Sequence, residues 1–147
     1  MSEVKIGIVS TRSPMAYNAN VAKDRIASAL DEALAHFAPR GVKQLTIVIE
    51  SMRGVLHVAH EEAFERGWKT EVIPHKDHPI PAFHPSMISI VGRDWGESSS
   101  SFVAAIDGII EIGGDRISRL ETLEAGEKEK PVFIHPLLMF SLLPEAA

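Results

Sequence analysis

Six short apolar runs rich in Val and Ile, separated by stretches with helical spacing, constrain this chain more than any other feature. The runs are KIGIVS (5–10), QLTIVIE (44–50), TEVIP (70–74), MISIV (87–91), IIEI (109–112) and PVFI (131–134). Each has the length and β-branched content of a buried strand. After the first, Val21, Ile26, Leu30, Leu34 and Phe37 recur at helical spacing, which predicts an amphipathic helix over 21–37 that ends before Pro39 and Gly41. Further helices are expected over 55–66, closed by Gly67, over 98–106 with Phe102, Val103 and Ile106 facing inward, and over 118–128. The apolar tail 136–143 is expected to dock as a helix, and 11–20 and 75–85 are read as loops. Gly7, inside the first run, allows close backbone approach.

Strands that alternate with helices in this way predict a parallel sheet, because parallel neighbours need a crossover and the helix supplies it. The expected fold is α/β: a three-layer, Rossmann-like arrangement with a mostly parallel sheet of about six strands and helices on both faces. No linker or internal repeat interrupts the pattern, so residues 1–147 read as a single domain. The formal net charge of -5 argues against a nucleic-acid backbone as partner. The absence of cysteine excludes a disulfide framework, a thiolate nucleophile and any Cys-ligated metal. No apolar stretch approaches the roughly 20 residues that a membrane helix needs. The opening residues lack a charged-then-apolar leader, and a cytoplasmic location is the expectation.

Ligands of open α/β sheets bind outside the carboxyl ends of the strands. The loops 10–20, 50–54, 92–101 and 113–118 fall there. Gly113 and Gly114 end a strand just before a helix, where backbone N–H groups can approach a phosphate or ribose; Ser118 would cap that helix or donate to a ligand. An ordinary strand–helix turn is the plain alternative. Ser98 and Ser99 belong to four serines (98–101) at a helix entry, suited to capping it or to holding phosphate. Ser10 closes the first strand, and Arg12 with Ser13 offers a phosphate clamp, or simply a solvated loop. Asn18 and Asn20 read as turn and cap residues at least as readily as ligand contacts. His57 and His60 lie three apart on a helix, and His75, His78 and His84 share a loop with Asp77, but their spacing matches no metal set, so no metal or other cofactor is expected. His135, at the end of the sixth strand, is a weaker site candidate.

Residues 106–134 resemble the C-terminal half of the LOG-like proteins, a "lysine decarboxylase-like" family, and of the wider SLOG superfamily. Gly113 and Gly114 match that family's double glycine, Ser118 stands where it has Thr, Glu121 falls on its helix Glu, and Lys130-Pro131-Val132 falls on its Lys-Pro-Val strand start. Upstream, 46–72 is similar to its second strand, glycine turn and helix, with Gly54 at the first glycine position. The sequence departs at Ile117, which takes the place of a glycine, and in 96–103, which lacks the family's helix Arg. The resemblance implies a nucleotide or nucleotide-derived small-molecule ligand, and dimers or larger homo-oligomers. Binding without turnover, as a sensor or carrier, is the expected activity. The alternative enzyme reading is hydrolysis or transfer at the N-glycosidic bond of a nucleoside monophosphate, with Glu121 catalytic and Arg93 and Arg116 as the available arginines. A third reading is a non-catalytic interaction protein whose apolar 137–143 segment covers a subunit interface.

Overall fold

A computed structural model describes residues 3–11, 15–51, 53–73, 88–90, 102–114 and 116–141. Its strands are β1 (Lys5–Val9), β2 (Met15–Ala16), β3 (Thr46–Ile49), β4 (Thr70–Val72), β5 (Ile88–Ile90), β6 (Gly108–Ile112), β7 (Val132–His135) and β8 (Phe140–Ser141). Its helices are α1 (Ala19–Phe37), α2 (Val55–Glu65) and α3 (Arg116–Glu127), with a 3-10 turn at Ala38–Arg40 and helical backbone at 102–104. The main sheet runs β5-β4-β3-β1-β6-β7, and every neighbouring pair is parallel. Among the described residues, five of these strands carry the cores, and β5 adds a three-residue edge. All six apolar runs of the sequence therefore supply a strand, and the fold is the expected Rossmann-like α/β arrangement.

Alternation along the strands separates two cores. Ile6 and Ile8 of β1, Ile47 and Ile49 of β3, and Ile110 and Ile112 of β6 pack with Ile26, Leu30 and Phe37 of α1 and Ala59 and Ala63 of α2. Val9, Val48 and Ile109 point the other way, onto Phe102, Val103, Ile106 and Ala125 of α3. Both faces of the central strands are thus apolar, as a parallel sheet covered on two sides requires. Asn18 accepts a hydrogen bond from the Val21 N–H at 3.1 Å and starts α1 two residues before the predicted boundary.

Polar contacts also fasten the layers. Arg66, at the end of α2, donates to Asp31 of α1 at 2.8 Å and lies over the Trp68 ring. His60 is wholly buried under β4, its Nδ1 hydrogen-bonded to Thr70 Oγ1 at 2.8 Å. Lys5 pairs with the buried Glu71 at 2.8 Å, and that hydrogen bond holds its ammonium pKa above the ordinary lysine value. Lys130, just before β7, donates to the Val103 carbonyl, and burial pushes its pKa down.

The tail corrects the sequence reading. Residues 136–139 are neither helix nor strand, and 140–141 form β8, antiparallel to β2, rather than a helix. A continuous apolar run does not reveal its own period. Here the period is two: Leu137 is buried, Leu138 is 73% exposed, and Met139 packs against the first core. The predicted loop 11–20 likewise contains β2.

Gly7 is crowded by side chains of the segment 102–106, not by the backbone its sequence position suggested. A Cβ there would stand 2.7 Å from Phe102 Cζ and 2.9 Å from Ile106 Cδ1. Gly7→Ala is expected to destabilise the fold by about 1–3 kcal/mol through overpacking, read as a lower urea midpoint at unchanged m-value.

Candidate functional site

From β1 the chain moves outward to β3, β4 and β5, then returns to the other side of β1 as β6 and β7. The strand order therefore reverses between β1 and β6. A crevice opens at such a point because the two flanking connections leave in opposite directions. Ser10 follows β1 there, and Gly113 and Gly114 follow β6. By strand alternation Ser10 belongs to the face of Ile6 and Ile8, the one covered by α1 and α2. It is 5% exposed, and its Oγ has no hydrogen-bond partner among the described residues.

On the same face and at the same end of the sheet, α2 begins. Its N-cap is Gly54, at φ +52° and ψ −126°, backbone that suits glycine and resists a side chain. The cap provides no side-chain hydrogen bond, and the first turn of α2 contains no acid. The exposed Arg53 directly precedes it. A cation beside a helix N-terminus has the wrong sign for the helix dipole and the right sign for a bound anion.

The double glycine is filled from within the chain. A Cβ on Gly113, whose φ is +52°, would stand 3.0 Å from both the Leu137 carbonyl oxygen and Met139 Cε. A Cβ on Gly114 would overlap Ser118 Oγ and approach Glu111 Cγ to 3.1 Å. Ser118 is the third residue of α3 rather than its cap, because the helix starts at Arg116, two residues before the expected boundary. Ser118 is buried, and so is Glu121, at 2% exposure and one turn further along the same helix face. Arg116 is exposed at the start of α3. Arg12, Arg93, Ser98 and Ser99 lie outside the described residues.

The structure adds three residues that the sequence reading passed over. Glu111 of β6 is buried, and its carboxylate accepts hydrogen bonds from Thr122 Oγ1 at 2.9 Å and from Arg119 at 2.8 Å, both on α3. Thr122 Oγ1 also lies 2.9 Å from the Ser118 carbonyl. The signal was present: an acid inside an apolar strand needs partners, and polar residues three apart on the next helix can supply them.

The described histidines do not assemble. His57 points outward toward Glu61, 3.5 Å away, while His60 is interior. His135 lies 3.5 Å from Glu32 of α1. His75, His78, His84 and Asp77 are outside the described residues, and among those described no group of three His, Asp or Glu could hold a metal ion. No helix among the described residues is long and apolar enough to cross a membrane.

Thr122→Val tests the Glu111 contact. It keeps the side-chain shape and removes the buried donor, so stability should fall by about 1–3 kcal/mol, measured by urea denaturation. An unchanged midpoint would mean that the hydroxyl contributes nothing to holding α3.

No protein-family model matches the chain, and neither does any curated protein. Among solved structures, the chain is similar to the X-ray structure of TM1055, a target of the Northeast Structural Genomics Consortium. The TM-score is 0.64 at 21% sequence identity, over 88% of this chain and 72% of that one. At that identity the likeness establishes a shared fold.

Proposed function

We propose that this protein binds a nucleotide or nucleotide-derived ligand at the C-terminal ends of its strands, as a sensor or carrier. The observation that carries the reading is the start of α2. A helix N-terminus with a glycine cap, no acid in its first turn and Arg53 beside it begins at the end of the sheet where the buried Ser10 hydroxyl has no partner among the described residues. Phosphate matches this set: N–H donors and an arginine for its charge, and an acceptor oxygen for the serine. The resemblance of Gly54, Gly113, Gly114, Ser118 and Glu121 to the LOG-like pattern supports a nucleotide as the bearer of that phosphate.

A second reading, cleavage of an N-glycosidic bond, has one observation in its favour. Ser118 and Glu121 share a face of α3 close to Gly114, which would put a carboxylate near a ribose held at the strand ends. Against it, Glu121 is shut away from solvent in this conformation.

A thermal-shift screen against nucleoside monophosphates and ADP-ribose, with chromatography of each mixture, separates the two. Ligand binding raises the melting temperature by mass action. A shift with intact ligand is the expected result. A shift with released base, abolished by Glu121→Gln, would instead favour turnover. No shift with any of these ligands would overturn the nucleotide reading.

A further inference from the structure

β7 is an edge of the main sheet, and its outer side pairs with no strand among the described residues. The parallel ladder fixes which of its backbone groups are left over. Ile109 N–H donates to the Pro131 carbonyl at 2.9 Å and Gly113 N–H to the His135 carbonyl at 3.3 Å, so 131, 133 and 135 turn inward to β6. Val132 and Ile134 therefore aim their N–H and C=O groups away from the sheet. Open edges are usually blunted by a lysine or a proline within the strand, and β7 contains neither. Ile134 is also 48% exposed.

α3 lies along the same edge. A Cβ on Gly126 would stand 3.8 Å from Val132 Cγ2, which places Gly126 on the β7 side of the helix. Arg119 and Leu123, two turns and one turn earlier, share that side, and Glu127 lies one turn beyond Leu123. All three side chains are exposed, Leu123 at 56%. The row reads cation, leucine, anion at i, i+4 and i+8. One strand residue spans about 3.3 Å and one helix residue about 1.5 Å, so Phe133 is level with residues 123–124 of the antiparallel helix.

We infer that two copies of this chain pair through β7, antiparallel about a two-fold axis at Phe133, and join their sheets into one. Rotation about an axis normal to the sheet keeps every side chain on its own face. With Phe133 opposite its counterpart, Val132 of each copy stands beside Ile134 of the other, and each such pair exchanges both of its hydrogen bonds. Sliding to the next register brings opposite either Pro136, which has no N–H, or Lys130, whose N–H is bonded to the Ala125 carbonyl, and leaves a carbonyl unpaired. The same axis passes close to Leu123 and sets Arg119 of each α3 alongside Glu127 of the other. Leucine meets leucine there, and unlike charges meet. Arg119 keeps Glu111 through one nitrogen, and its other N–H groups serve the cross-copy pair. An edge and a helix row that are each complementary to themselves under one rotation select a second copy over an unrelated strand. This places the subunit contact on β7 and α3 rather than on residues 137–143.

Sedimentation of the full chain should show a monomer–dimer equilibrium at micromolar concentration. In hydrogen exchange read amide by amide, Val132 and Ile134 should exchange about tenfold more slowly in concentrated than in dilute protein, while Phe133 and His135, held by β6, stay slow in both. Ile134→Lys, at an exposed side chain, should leave a monomer that is still folded by circular dichroism. Glu127→Arg should weaken the dimer about tenfold, because one substitution sets like charges together twice across the axis. A chain that stays monomeric with both amides unprotected would overturn the pairing. Protection that does not change with concentration would overturn it too, since another part of the chain would then cover the edge. So would a dimer in which both amides stay unprotected, or one that neither substitution weakens, because its interface would lie elsewhere.

Discussion

The Glu111 carboxylate lies inside the sheet, and a charge there is tolerated only when it is paired and hydrogen-bonded. Thr122 and Arg119 meet that requirement from α3, one from the buried side of the helix and one from its rim. The contact does more than neutralise a charge. It fixes the rotation of α3 about its axis, because the two donors sit three residues apart and must both reach one carboxylate. That rotation brings Ser118 against Gly114 and turns Glu121 inward. The arrangement of the second half of the crevice therefore follows from a single acid on β6. Arg119 is 55% exposed, so its share of the interaction is screened by solvent, and the buried Thr122 hydroxyl is the firmer of the two donors.

The two halves of the crevice are built differently. On the β6 side, the glycines are taken up by the chain's own atoms: Leu137 and Met139 at Gly113, Ser118 at Gly114. On the β1 and α2 side, among the described residues, the Ser10 hydroxyl has no hydrogen-bond partner and the helix start has no side-chain cap. The phosphate proposed above rests on the second half and not on the first. This inverts the weight that the sequence alone gives them, where the double glycine is the more conspicuous motif.

Much of the fold was legible because a parallel sheet writes itself plainly. Strands buried on both faces become unbroken runs of Val and Ile, and the helices between them keep a clear stripe. The tail was misread for the same reason: a run such as LLMF is apolar at every position, and only the alternate burial of Leu137 and Met139 reveals its period of two. At the site, Gly54, Gly113, Gly114, Ser118 and Glu121 could be named from the sequence, but not what occupies the space beside them. The partner of Gly113 lies on a segment after the last main strand, and no local pattern couples the two. Glu111 was passed over because it is embedded in IIEI, where its neighbours make the strand obvious and its charge easy to overlook.

The place of β1 in the sheet bears on how the chain assembles as it is made. β1 is the first main strand to be synthesised, and it ends at the centre, with β3 on one side and β6 on the other. β3, α1 and α2 can begin the first core early, from neighbouring sequence, but Ile110 and Ile112 complete it only when β6 arrives. The opposite edge of β1 must wait for β6, and Gly7 must wait for Phe102 and Ile106 to cover it. During that interval a flat, apolar edge remains unpaired, the kind of surface that recruits a neighbouring chain. Synthesis of this protein therefore passes through a stage in which its future centre is its most adhesive margin.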